Sequence, residues 1–264
     1  MIFLIGGTGL VGSGFLRYFK EKKIPFKLIT SKNKKKFFNK KCNLLIDCNG
    51  NGSKRVGIKD PFFDFNASVL TVVENLIKIK YKKYIYISTS QVYENLSNKI
   101  FTKEDFSINF KKINNYGFNK YIAEMYVKKY VPNYLIIRLP YVIGPGLKRN
   151  PFYDLLKKKK TFLTLDSEIN CIHTDSVAEI TMKLNKSKKR GIFNLGSKNT
   201  LKVKEILKLY NLKIKELKKT KMTKDINKIS FHKINQVLKL PDAYVEVKKY
   251  LSENRILQKI VKSF

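Results

Sequence analysis

The feature that most constrains the fold of this chain lies at its start, where the apolar run MIFLI passes directly into GGTGLVGSG and then GFLRYFKEKK, whose apolar residues recur at helical spacing. A short apolar run, a glycine-dense turn and an amphipathic segment read as strand, tight turn and helix. Gly6, Gly9 and Gly12 form G-x-x-G-x-x-G at that junction, with Gly7, Thr8, Leu10 and Val11 between them. Glycine there permits a sharp turn and lets a pyrophosphate approach main-chain N–H groups at a helix N-terminus. After a strand and before a helix, the pattern predicts a dinucleotide site rather than a structural turn alone.

The same alternation continues downstream. Phe26–Ile29 is a second apolar run ending in TSKNKKK, and NLLIDC at 43–48 is a third ending in NGNGS. FNASVLTVVENLIKIK reads as a helix, KYIYIST as a strand, NKYIAEMYVKKYV as a helix and NYLIIRLP as a strand. Strands alternating with helices predict an α/β chain with a Rossmann-like, doubly wound parallel sheet whose ligands sit at the carboxyl ends of the strands. After the GPG at 144–146 the alternation weakens. Residues 1–146 are therefore expected to form the dinucleotide-binding domain, with 171–196 returning to it, and 147–170 and 197–264 a smaller C-terminal substrate-binding lobe.

Composition excludes several classes. With 264 residues, 43% apolar, the chain can bury a full core without staples and is not disordered. The cysteines Cys42, Cys48 and Cys171 form an odd set without C-x-x-C, and His173 and His232 stand far apart, so neither a disulfide framework nor a metal site is expected and a reducing cytoplasm is the expected compartment. No stretch reaches about 18 apolar residues, so neither export nor a membrane span is expected. The net charge of +35 comes largely from short lysine runs scattered between apolar elements, which read as solvated faces. A nucleic-acid-binding role on this fold is the alternative that the charge raises.

Two further groups carry chemistry. At the end of the second strand, where a carboxylate ordinarily holds the adenosine ribose, stand Thr30, Ser31 and Lys32. Hydroxyls and an ammonium accept a 2′-phosphate that a carboxylate would repel, which favours NADP over NAD as the cofactor, with NAD the alternative. Tyr116 and Lys120 lie one helical turn apart, but the same spacing recurs at Tyr18/Lys22, Tyr153/Lys157 and Tyr244/Lys248. Tyr116 is singled out because it follows the strand YIYIST, whose carboxyl end presents Ser88, Thr89 and Ser90 to the same crevice. A hydroxyl, a phenol and an ammonium form a proton-transfer set for hydride chemistry, and the ammonium together with an oxidised nicotinamide ring is expected to draw the phenol pKa down from about 10 toward about 7.

At this point the chain resembles the extended short-chain dehydrogenase/reductase family, which includes nucleotide-sugar epimerases, dehydratases and ketoreductases. GGTGLVG, FNASVLTVVENL, YIYISTSQVY, YGFNKYIAE, IIRLPYVIGPG, CIHTDSVAEI and GIFNLGS carry the resemblance, in family order. It implies Thr89, Tyr116 and Lys120 as the catalytic triad and Asn66 as the helix asparagine of a proton relay. It further implies Pro140 as a cofactor contact, Ser90, Gln91 and Tyr141 as substrate contacts, and a homodimer formed through helices at 68–80 and 119–130. His173 and Asp175 are expected to be structural, with Asp175 capping a helix, and Arg138 a scaffold ion-pair partner.

Departures from the family pattern narrow the expectation. Glu94 stands where glycine usually follows the V-Y pair, and 33–41 is too short for the strand and aspartate that usually flank adenine. Ser90 and Gln91 replace the acid pair of the 4,6-dehydratases, and neither is an ordinary general acid or base. The expected activity is reduction of a keto group on a nucleotide-activated sugar in glycan precursor synthesis. The alternative is a 4-epimerase that retains NAD.

Overall fold

The computed structural model describes residues 1–158, 160–214, 217 and 222–262. Strands β1 (Ile2–Ile5), β2 (Phe26–Ile29), β3 (Lys41–Asp47), β4 (Lys80–Thr89), β5 (Tyr134–Leu139) and β9 (Gly191–Asn194) form one sheet in the order β2-β1-β3-β4-β5-β9, and every pairing in it is parallel. This is the predicted α/β class. The chain crosses from β2 at the edge over β1 to β3, so the strand order reverses at β1 and opens a crevice there. Among the described residues no strand lies outside β2, and a short 3-10 turn at Lys34–Phe37 fills the 33–41 connection. The sheet thus lacks the strand that the sequence was too short to supply.

Because the central strands are covered on both faces, their inner residues are apolar at odd and even positions alike. Leu4, Ile46, Ile85 and Ile137 face helices α1 (Leu10–Glu21) and α7 (Thr174–Lys186), packing with Phe15, Phe19 and Val177. Their neighbours Ile5, Leu45, Tyr86 and Ile136 face α4 (Thr71–Lys78) and α5 (Asn115–Tyr130), packing with Val72, Leu76 and Val127. Short helices α2 (Lys54–Lys59) and α3 (Pro61–Phe65) precede a π-helical turn at Asn66–Leu70 that interrupts the predicted helix at 65–80 before α4 begins, and a further short helix, α9 (His232–Asn235), lies against β9.

A separate apolar cluster lies beyond the carboxyl edge of the sheet. It joins Phe152 and Leu155 of α6 (Pro151–Lys158), Ile206 and Leu207 of α8 (Val203–Tyr210), and Val247 and Tyr250 of α10 (Ala243–Lys262). The expected boundary at 197 runs differently in one respect. Ile229, Phe231, Ile234 and Leu240 pack into the main core, because the chain returns to lie against β9 before α10 begins. Small two-stranded sheets, β6 (Tyr141–Ile143) with β8 (Cys171–His173) and β7 (Glu168–Ile169) with β10 (Leu201–Lys202), join the two regions. Among the described residues no helix is long and apolar enough to cross a membrane.

Candidate active site

Segments leaving the carboxyl ends of β1, β3, β4 and β5 converge on one cleft of about 1280 Å³, roofed by residues of the second cluster. Its first wall is the glycine turn. Gly6 adopts φ +71, a left-handed conformation natural to glycine, and its carbonyl accepts from the Gly9 N–H at 3.0 Å. A Cβ at Gly12 would lie 2.1 Å from that same carbonyl oxygen, so the third glycine lets α1 start hard against the turn. No side chain caps α1 at Gly9 and no acidic residue occupies its first turn, which leaves the helix N-terminus open to an anion. Gly9, Leu10 and Val11 line the cleft; Gly6, Gly7, Thr8 and Gly12 shape the turn from behind.

The opposite wall is the end of β4 and the start of α5. Gly117 makes their approach possible, since a Cβ there would come within 2.0 Å of the Gln91 carbonyl oxygen. Thr89, Tyr116 and Lys120 are thereby brought together on the cleft floor, as the sequence predicted, with Ser90, Gln91, Pro140 and Tyr141 beside them. The Thr89 hydroxyl accepts from the Gln91 N–H at 3.2 Å and interacts with the Tyr116 phenol so as to lower its pKa. Lys120 donates to the Asn49 carbonyl at 3.3 Å and lies 5.3 Å from the centre of the Tyr86 ring.

The electrostatics differ from expectation. Burial pushes the Tyr116 phenol up to about 12; the Thr89 hydroxyl opposes this and the Asp64 carboxylate adds to it. Lys120 by itself does not draw the Tyr116 pKa down in this arrangement. Burial lowers the pKa of Lys120 itself, and the surrounding carboxylates of Asp47, Asp64 and Glu124 work against that shift. Low local dielectric disfavours charge on either group, and here that effect is larger than the mutual one.

Four further predicted residues, Asn66, Thr30, Ser31 and Lys32, also stand apart from the cleft lining. Asn66 lies in the π-helical turn, where its carbonyl accepts from the Thr71 hydroxyl at 2.9 Å. The polar group behind Lys120 is a different one. Fully buried Asp64 accepts from Asn51 Nδ2 at 2.9 Å, Ser68 Oγ at 3.1 Å and Asn119 Nδ2 at 2.8 Å. Ser68 of the same π-helical turn belongs to this set, whereas no side-chain hydrogen bond joins Asn66 to it. Thr30 spends its hydroxyl on Asn33 Oδ1 at 3.3 Å, whereas Ser31 and Lys32 are exposed at the end of β2.

Sequence reasoning also missed the loop after β3, where Gly50, Asn51, Ser53, Lys54 and Arg55 line the cleft, and Arg149, just before α6, and Lys224, which line it too. The NGNGS stretch was a usable signal, since any loop leaving a parallel strand at its carboxyl end reaches the crevice.

The flanking residues are structural. Arg138 and Glu124 form a buried ion pair at 2.6 Å, as expected of Arg138. His173, not Asp175, caps α7: its Nδ1 accepts from the Asp175 N–H at 3.2 Å. Asp175 is instead drawn away to Arg17 and Lys249, at 2.6 and 2.9 Å.

Comparison with known proteins agrees with this architecture. The chain is similar to the dTDP-4-dehydrorhamnose reductase of Clostridium acetobutylicum, at 16% identity and a TM-score of 0.75 over 96% of this chain and 99% of that one. A dTDP-4-dehydrorhamnose reductase of Bacillus anthracis in complex with NADP matches at 15% identity and a TM-score of 0.74, over 96% of this chain and 97% of that one. The UDP-glucose 4-epimerase of Thermotoga maritima, solved with UDP-glucose, matches at 17% identity and a TM-score of 0.75 over 97% of this chain and 99% of that one. No curated protein sequence matches the chain. At such identities the structures establish the fold alone; the model of one sequence family, however, matches residues 2–196, and by that match this chain belongs to the NAD dependent epimerase/dehydratase family.

Proposed function

We propose that this protein is an NADP-dependent reductase of a keto group on a nucleotide-activated sugar. The observation that carries the reading is the state of Tyr116: burial holds its phenol neutral, beside Thr89, on the cleft floor. Reduction of a ketone needs a proton donor at the oxygen, and a neutral phenol is one. In this reading Thr89 orients the carbonyl oxygen, Tyr116 gives it a proton, and Lys120, anchored on the Asn49 carbonyl, holds the cofactor's ribose. The open N-terminus of α1 fits a pyrophosphate, and Ser31 and Lys32 are free to meet a 2′-phosphate. A nicotinamide dinucleotide bound there would supply the hydride.

Arg55, Arg149 and Lys224 along the cleft suit the diphosphate of a nucleotide sugar, and residues 147–170 with parts of 197–264 form the lobe that closes over it. The reductases among the similar structures act on dTDP-linked sugars by their names, which is consistent with this class. The protein would work in the cytoplasm, where its three free cysteines stay reduced, on precursors of polysaccharide or other glycans. It would do so as a homodimer, since Leu70 and Ile77 of the α4 segment and Met125 of α5 are exposed apolar residues on neighbouring helices.

The test supplies UDP-, GDP- and dTDP-linked keto sugars with excess NADPH and follows nicotinamide absorbance alongside product. One cofactor oxidised per sugar reduced supports the reading. Interconversion of two sugar epimers without added cofactor, by protein isolated with tightly bound NAD, would make it a 4-epimerase instead.

A further inference from the structure

Glu94 departs from the family pattern, and the proposed chemistry does not use it. It lines the cleft five residues past Thr89, on the segment that leaves β4. Its Oε2 is buried and takes no hydrogen bond among the described residues. The position is not a loose one. The preceding residue, Tyr93, is locked by its hydroxyl, which donates to Asn194 Oδ1 at 2.9 Å and accepts from Arg138 at 2.8 Å. The Arg138 guanidinium also lies 4.8 Å from the Tyr93 ring centre. Glu94 is thus a half-buried carboxylate in the cleft wall with one oxygen that has no hydrogen-bond partner among the described residues. In a chain with 55 Lys and Arg against 20 Asp and Glu, a pairing cation would be easy to supply, yet none is placed on this oxygen. Glu94 as a whole is only half-buried and lines the cleft, so the donors of an entering ligand can reach its carboxylate. A diphosphate would be repelled, so the carboxylate belongs at the other end of the ligand, near Thr89.

We infer that Glu94 selects the substrate's sugar, its carboxylate accepting hydrogen bonds from donor groups on the ring, hydroxyl or ammonium, while the cleft's cations take the diphosphate. This rests on the nucleotide-sugar reading above. It places a carboxylate against the sugar where a glycine would leave a bare backbone.

The test is calorimetric titration of UDP, dTDP and GDP, and of UDP-glucose, dTDP-glucose and GDP-mannose, into the NADPH-loaded wild-type protein and its Glu94→Gln variant, with NADPH titrated separately into each. Charge-assisted hydrogen bonds to a sugar predict that E94Q weakens a sugar conjugate about 10-fold or more, with its free nucleotide diphosphate and NADPH unchanged. Thermal unfolding gives an independent readout: removing an unsatisfied carboxylate leaves Tm unchanged or raised, whereas loss of a structural residue lowers it. A 2-amino-sugar conjugate that outbinds its hydroxyl counterpart in the wild type but not in E94Q identifies an ammonium; parity in the wild type identifies hydroxyls. Equal weakening of conjugate and free diphosphate, no weakening of either, or a lowered Tm with sugar binding intact overturns the inference alone. Failure of the wild type to bind any of the nucleotides or conjugates removes the nucleotide-sugar reading, and this inference with it.

Discussion

Tyr116 and Arg138 represent opposite uses of burial. Around Tyr116 the interior keeps a phenol neutral, pushed up to about 12, so the proton it gives is present throughout the physiological range. A raised pKa means that the donor form persists below it and is lost only as pH climbs toward it. Reduction of a keto sugar should therefore keep a flat kcat/KM from about pH 6 to about pH 9 and fall only at higher pH. Tyr116→Phe, which keeps the ring and removes the proton, should lower kcat about 100-fold or more while NADPH affinity stays near wild type. Steady-state kinetics across pH, with calorimetry of the cofactor, checks both; near-normal turnover by the variant would remove Tyr116 from its assigned role. Around Arg138 the interior instead holds a permanent charge, matched by Glu124 at 2.6 Å with the two side chains 2% and 0% exposed. Glu124→Gln leaves that cation uncompensated in the core and should cost about 3–5 kcal/mol of stability, read from denaturant unfolding.

At the scale of elements, much of the architecture was legible because it is local. The glycine turn, α1 and the strand-helix alternation are written in contiguous residues, and the missing strand outside β2 follows from the length of one connection. What was not legible is assembled across sequence. Asp64 meets Asn119 across 55 positions, and no spacing rule connects them. The π-helical turn that holds Asn66 and Ser68 has no sequence signature either. The direction of the Tyr116 shift depends on how tightly β4 and α5 close over the phenol, which a motif does not encode. One element-scale expectation remains to be measured, at the end of β2. Lys32 is exposed there, and the Thr30 hydroxyl is already bound to Asn33. Discrimination between the cofactors should therefore fall mainly to Ser31 and Lys32. Lys32→Ala should weaken NADPH about 10-fold and leave NADH unchanged, the loss expected of one charge-assisted contact. Equal losses for both cofactors by calorimetry would remove the 2′-phosphate assignment.

At the scale of the whole molecule, the exposed apolar residues of α4 and α5 set an expectation about assembly. Ile77 is 62% and Leu70 50% exposed, and they lie two helical turns apart beside α5. If these residues are covered in a dimer, Ile77→Lys should convert it to a monomer without loss of secondary structure, as sedimentation and circular dichroism would show. A wild-type monomer at micromolar concentration would end the proposal.

The open edge of the sheet has a different consequence. β2 is four residues, Phe-Lys-Leu-Ile, and among the described residues no strand covers its outer flank. An uncovered strand of that kind is a template on which another chain can align, the first step of aggregation rather than of assembly. Lysines occupy this rim at Lys23, Lys27, Lys32 and Lys35, and every copy of the protein carries the same ones. The charge excess that first suggested an anionic partner thus has a second use as mutual repulsion at an exposed edge strand. Since repulsion between exposed charges is screened beyond about 10 Å at 0.1 M salt, the solubility of this chain should fall as ionic strength rises.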